Sequence, residues 1–208
     1  MGFNKLLADL AGEPVLAKTI SAFERCDVVG EIIVVSGGET LDAAAGWLGE
    51  QRWTKLKAVV EGGAERHLSV RNGLAALAED CEYVAVHDGA RPLVRPDLIA
   101  QSFELAKTSG ATACAHPITD TVKRATPDGV VSGAVDREGL WGMETPQTFR
   151  LDLLTTCYDA VIARGELVTD EVSAVEAEGY PVQLVANHQP NPKITFEADL
   201  AIAARLLS

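Results

Sequence analysis

Cationic side chains are in short supply in this chain: 18 Lys and Arg stand against 30 Asp and Glu, for a formal net charge of −12. Nonspecific nucleic-acid binding needs a basic footprint, and this balance argues against one. Cysteine is scarce and scattered. Cys26, Cys81, Cys114 and Cys157 form no C-x-x-C pair, which argues against a metal cluster or disulfide scaffold and predicts reduced, mostly buried thiols. His67, His87, His116 and His188 show no paired zinc-ligand spacing. No apolar run approaches the ~20 residues of a membrane span, and the first residues lack a basic-then-apolar secretory pattern. The cytoplasm is therefore the expected location. Aromatics are few, at 5%, against a hydrophobic content of 47%, so an Ala/Val/Leu interior is expected. A length of 208 residues suits one good-sized core with a small appendage.

The acidic balance does not exclude an anionic substrate. Surface charges more than about 8 Å apart are largely screened at physiological salt. A lysine about 4 Å from a phosphate gains on the order of 4 kcal/mol at an effective dielectric of about 20. Local cations can win over the global sign.

What is present is an alternation of strand and helix. Pro14 to Cys26 predicts a helix with proline near its first turn. Glu31 to Ser36 ("EIIVVS") predicts a short buried strand, followed by a helix from Glu39 to about Leu48. "KAVV" predicts a strand ending at Glu61, and the helix from Glu65 carries Val70, Leu74 and Leu77 on one face. "EYVAVHDGARP" predicts a strand running into a turn, with the next helix starting at Pro96. Repeated units of this kind predict an α/β fold: a three-layer arrangement around a mostly parallel sheet with right-handed crossovers. The rhythm breaks at Pro117. Thr119 to about Trp141 reads as a β-rich arm protruding from a single domain that spans residues 1–208. Helices resume at Leu151 to Arg164 and Asp170 to Glu178, "PVQLVA" predicts a late strand, and "FEADLAIAARLLS" predicts a closing helix.

Four segments could carry chemistry. In "VAVHDGARP", Asp88 falls at the carboxyl end of a buried strand, where open α/β sheets bind ligands. A carboxylate there suits Mg²⁺ or another divalent cation held jointly with substrate phosphates, and Arg91 can fork onto a phosphate. The plainer reading of Asp88-Gly89 is a turn, and this motif alone divides the two about evenly. In "EGGAERHLSVRNGL", two glycines before a helix let backbone approach a ligand, and Arg66 and Ser69 lie in the first turn or so. The pattern is neither G-x-G-x-x-G nor a P-loop, which counts against a dinucleotide dehydrogenase or an ATPase. The arm groups Asp120, Thr121, Lys123, Arg124 and Arg137 on a segment with little hydrophobic support, for which a second subunit is the economical partner. Lys193 of "NPKIT" belongs to a loop that chain order brings to the strand-end side of the sheet.

Taken in order, "GGAERHLSVRNGL", "HDGARP", "TDTVKRA", "VDREGLWGMETPQTF", "TDEVSAVE" and "PKITFEADL" closely resemble the 2-C-methyl-D-erythritol 4-phosphate cytidylyltransferases, over the whole chain. The resemblance implies a Rossmann-like, nucleotidyltransferase-like fold and transfer of CMP from CTP to methylerythritol phosphate with release of pyrophosphate, in nonmevalonate isoprenoid synthesis. It also implies Mg²⁺ and a homodimer whose arms reach into the partner's active site. Carried over by motif, Lys5 and Lys193 stabilise charge on the α-phosphate. Gly63 and Ser69 hold the cytosine and ribose region, and Arg66 supports that loop. Asp88 lies by the triphosphate and Mg²⁺, and Gly89 lets ribose approach. Arg91, Thr121 and Arg137 grip the methylerythritol phosphate, with Thr145 and Thr169 contributing.

Two departures stand out. Ala64 occupies a position where some members carry a carboxylate that can meet the cytosine amino group. At the front, Met1-Gly2 matches only the end of the family's glycine-rich loop, and Lys5 matches its lysine. A preceding apolar strand and phosphate-cradling loop find no counterpart. From this the chain as written is expected to be poorly active or inactive, and less stable than a full-length relative. The alternatives are a cytidylyltransferase for another polyol phosphate, such as ribitol 5-phosphate, and a non-catalytic nucleotide-binding or dimerising fragment.

Overall fold

In a computed structural model, residues 4–166 and 168–207 are described; Met1 and Gly2 lie outside them. The chain enters through a tight hairpin of β1 (Asp9–Leu10) and β2 (Glu13–Pro14). Ala11 and Gly12 turn it at φ of 51° and 85°. Pro14 then caps α1 (Val15–Glu24), one residue before the position that proline favours most.

Three βα units and a fourth strand follow. They are β3 (Ile32–Ser36) with α2 (Gly38–Gly46), β4 (Leu56–Glu61) with α3 (Arg66–Leu74), β5 (Tyr83–Val86) with α4 (Pro96–Ser109), and β6 (Ala111–Pro117). Pro96 and Asp97 open α4, and Gly110 closes it in the left-handed region at φ 80°, a proline-in, glycine-out pair that sets the helix length. Beyond β6 comes a small antiparallel ribbon, β7 (Lys123–Ala125) and β8 (Val131–Ala134). The chain returns through β9 (Trp141–Arg150), α5 (Leu151–Ala163), α6 (Glu171–Ala177), β10 (Gln183–Ala186) and α7 (Glu197–Leu206).

The sheet is mixed and divided. β10, β6, β9 and β5 are neighbours in that order; β10 runs parallel to β6, while β9 runs antiparallel to both β6 and β5. β3 and β4 form a separate parallel pair. The expected mostly parallel sheet is thus interrupted by β9, which returns from the arm and must run backwards between β6 and β5. Side chains alternate across the sheet as a two-residue period requires. Ala113 packs with α5 and α6 on one face, and Cys114 packs with α1 and α4 on the other. This is the three-layer arrangement. Cys26, Cys114 and Cys157 are buried and free, and burial pushes the Cys114 thiol up to about 12.

Between β3 and β5 runs a cavity of about 870 Å³, walled by every residue of both strands. Leu16, Ile20 and Phe23 line one face of it, and Val70, Leu74 and Leu77 line the other. Among the described residues, β3 pairs only with β4 and β5 only with β9, so two strand edges face each other across an apolar slot. At the carboxyl ends of the strands the slot opens onto Ser36, Arg66, Ser69, His87, Asp88 and Gly89.

Candidate active site

Asp88 lies two residues past the end of β5, where the slot opens. Its Oδ2 accepts from Lys193 Nζ at 3.0 Å and from Arg91 Nε at 3.3 Å. Burial raises the Asp88 pKa, but the Lys193 hydrogen bond and the charges of Lys193, Arg91 and Arg66 outweigh it and hold the carboxyl below its usual range. The group is therefore a carboxylate at neutral pH, compensated by cations from three separate segments.

The turn carrying Asp88 is fixed from below. Burial pushes the His87 pKa down to about 4, so the imidazole is neutral. Its Nε2–H donates to Arg91 O at 3.2 Å, and its Nδ1 accepts from the Thr145 hydroxyl at 3.0 Å. That hydroxyl in turn accepts from the Asp88 backbone N–H at 3.0 Å. The three bonds agree on one tautomer. Gly89 lies beneath Leu16 and Leu6; a Cβ there would meet Leu16 Cδ1 at 3.0 Å, a tight contact that the Leu16 side chain would have to yield to.

The glycine-rich loop after β4 is closed by Ser69, whose Oγ accepts from Gly63 N–H at 3.0 Å and donates to Glu65 O at 3.1 Å. A Cβ on Gly63 would lie 2.5 Å from Leu68 Cβ, which excludes any other residue without moving α3. Arg66 forks onto both carboxylate oxygens of the fully buried Glu171, reaching Oε2 at 2.9 Å. The Tyr158 hydroxyl donates to the same carboxylate at 2.9 Å. Gln147 donates to Asp170 at 2.9 Å and accepts from the Val172 N–H at 3.1 Å. Through these contacts α6 and β9 brace the loop that borders Asp88.

Lys193 arrives on the segment between β10 and α7. Ile194 N–H donates to Ala90 O at 2.8 Å, and Arg91 donates to Asn191 O at 2.7 Å. Asp88, Arg91, Lys193, Arg66, Ser69, Gly63 and Gly89 thus gather around one strand end. Lys5 sits between Asn4, whose side chain meets Thr40 at 2.9 Å, and Leu6, which packs near Gly89. It makes no side-chain hydrogen bond or ion pair among the described residues. Thr145 is buried with its hydroxyl turned inward. Thr169 is exposed and meets Ser173 Oγ at 3.1 Å. Thr121 and Arg137 are exposed on the arm, where Arg137 donates to Thr119 O; no hydrogen bond or ion pair joins either to the Asp88 cluster.

The family model for 2-C-methyl-D-erythritol 4-phosphate cytidylyltransferase (IspD) matches residues 1–208. The chain belongs to this family. The cytidylyltransferase of Alkaliphilus oremlandii is 39% identical over 206 residues, which cover 99% of this chain and 87% of that protein. The solved structure of 4-diphosphocytidyl-2C-methyl-D-erythritol synthase from Anaerococcus prevotii superposes with a TM-score of 0.86 at 28% identity, covering 96% of this chain and 88% of its own. The cytidylyltransferase from Thermus thermophilus gives a TM-score of 0.80 at 32% identity, covering 97% and 92%. Sequence reasoning about this cytidylyltransferase family member reached Asp88, Arg91, Arg66, Ser69 and Lys193. It missed the buried supports Glu171, Glu144, Asn191 and His87. All four lie inside segments already singled out, "TDEVSAVE", "METPQTF", "NPKIT" and "HDGARP", but a buried polar side chain is written no differently from a solvated one.

Proposed function

We propose that this chain transfers CMP from CTP to 2-C-methyl-D-erythritol 4-phosphate and releases pyrophosphate. The observation that carries this reading is the Lys193–Asp88–Arg91 cluster at the carboxyl end of β5, beside a glycine loop closed by Ser69, in a chain of the cytidylyltransferase family. A phosphate oxygen of the polyol phosphate attacks the α-phosphorus of CTP in line. One P–O bond forms, the α–β bridge breaks, and its electron pair leaves with pyrophosphate. No protein nucleophile is needed, so positioning and charge neutralisation supply the rate.

Lys193 and Lys5 stabilise the α-phosphate. Gly63, Ser69 and Gly89 border the nucleoside, with Arg66 bracing the loop from Glu171. Arg91, Thr121, Thr169 and Arg137 hold the polyol phosphate, the arm residues acting across a homodimer. Thr145 contributes by fixing the Asp88 N–H rather than by direct contact.

The residues fit a Mg²⁺ carried on substrate. No group of three side chains able to cage a metal occurs among the described residues, whereas Mg²⁺ is commonly held by one or two carboxylates plus phosphates and water. Asp88 is the carboxylate that would hold it, and the ion would supply charge neutralisation at the phosphates.

The test is pyrophosphate release from CTP with Mg²⁺, comparing methylerythritol phosphate with ribitol 5-phosphate, alongside calorimetry with CTP. Release that depends on methylerythritol phosphate, and that falls about 100-fold in kcat on Lys193→Ala, supports the reading. A preference for ribitol 5-phosphate, or absence of both turnover and CTP binding, overturns it.

A further inference from the structure

Glu144 is buried at 4% exposure, in the stretch of β9 that leads to Thr145, and it is no part of the cluster around Asp88. Its two oxygens collect three N–H donors from two other segments. Oε1 accepts from His116 Nδ1 at 2.7 Å, at the end of β6 where the arm departs. Oε2 accepts from Asn187 Nδ2 and from Asn191 Nδ2, each at 2.9 Å. Asn191 Nδ2 also reaches Thr145 O at 3.1 Å.

Both asparagines belong to the segment that ends in Lys193. That segment reads Asn187-His188-Gln189-Pro190-Asn191-Pro192-Lys193, and its two prolines have no N–H to donate. Side-chain amides therefore do much of the anchoring that a backbone ladder would do elsewhere. Asn191 sits between the prolines. Its carbonyl holds Arg91 at 2.7 Å, and two residues later Lys193 Nζ meets Asp88 at 3.0 Å. One carboxylate thus fixes the point from which two cations of the site are hung.

Building on the proposed transferase reading, we infer that Glu144 is a positioning residue for Lys193 and Arg91, acting through Asn187 and Asn191. The requirement is for an acceptor at Oε2 rather than for a charge. A glutamine can keep its oxygen toward the two asparagine amides and turn its NH₂ toward His116, whose Nδ1 then accepts once the imidazole proton moves to Nε2. An alanine leaves both amides and the imidazole without their common acceptor, a loss that buried polar groups do not tolerate cheaply.

The test compares the parent with Glu144→Gln, Glu144→Ala, Lys193→Ala and the Glu144→Ala/Lys193→Ala double variant. Amide exchange is read at Asn187, Gln189 and Ile194, with α4 and α5 as internal controls. Glu144→Ala should speed exchange in the 187–194 segment by about tenfold or more while the controls hold, and Glu144→Gln should stay within about threefold of the parent. In turnover, Glu144→Ala should lower kcat about tenfold with KM for CTP changed less than about threefold, Glu144→Gln should restore it, and the double variant should lose clearly less than the product of the two single losses, the remainder passing through Arg91. Unchanged exchange in the segment, an equal rise in the controls, or full addition of the two kinetic losses would overturn the inference. The exchange measurement decides it even if the parent releases no pyrophosphate, an outcome that counts against the transferase reading alone.

Discussion

His87 shows how one side chain can tie the site to the stability of the fold. The imidazole packs against Phe23, with ring centroids 4.9 Å apart, and both ring nitrogens are engaged by Thr145 and Arg91 O. Protonation would force Nδ1 to donate toward a hydroxyl already committed as donor, beside the Arg91 cation. Burial, and to a lesser extent that cation, hold the pKa at about 4, against the ordinary 6.5. Asp88 pulls the other way without prevailing. Because the folded value is the lower one, between these pH values the unfolded chain takes up a proton that the folded chain refuses. The stability contribution is complete above pH 6.5 and is lost as pH falls toward 4, a change of roughly 3 kcal/mol from His87. The depressed pKa of Asp88 delays its own contribution to still lower pH, so the two windows separate. Urea unfolding at pH 7 and pH 4.5 should show this drop in the parent and a shallower one in His87→Gln. Equal slopes in the two proteins would mean that His87 is not the group responsible.

At the level of elements, what the sequence revealed depended on whether the decisive interaction was local. Pro14, Pro96 and Gly110 mark helix ends by backbone rules that act within a few residues, and α1 and α4 begin and end beside them. "IIVV" and "YVAV" lie in the strands expected of them, β3 and β5. Lys193 reaches Asp88 because chain order alone brings a loop after a late strand to the strand-end side. β9 was harder to see: its antiparallel course follows from the return of the arm, and nothing in "WGMETPQTFR" states a direction. Glu144 and Glu171 were illegible for another reason, since the partners of Glu144 are 28 to 47 residues away and the cation that Glu171 holds is 105 residues away. The split between β3 and β5 has a measurable consequence. Amides of these strands turned toward the slot have no ladder partner among the described residues, whereas those turned toward β4 and β9 do. Hydrogen exchange should therefore be bimodal along Ile32–Ser36 and Tyr83–Val86, with the slot-side amides at least about 100-fold faster than their neighbours. Uniform protection along both strands would show that the slot is closed in solution.

For the molecule as a whole, the arm is the part that the single chain does not explain. Among the described residues β7 and β8 pair only with each other, and a two-stranded ribbon without further packing is marginal in water. None of the buried clusters draws a residue from it. Val130 and Val131 are 59% and 63% exposed, and Leu140, Trp141 and Met143 at its base are also exposed. Its polar residues Thr121 and Arg137 stand apart from Asp88, Arg91 and Lys193. The proposed homodimer would resolve both difficulties by covering the apolar ribbon and delivering Arg137 to a neighbouring site. The parent should then sediment at twice 22.1 kDa, and Val131→Asp should shift it toward 22.1 kDa. Complementation is the sharper measurement. Arg137→Ala and Lys193→Ala chains should each be impaired alone. A mixed dimer holds one site with Lys193 from one chain and Arg137 from the other, so random mixing should restore up to about a quarter of the parent activity. If Arg137 served the site of its own chain, each site in the mixture would carry one defect or the other, and mixing would restore nothing.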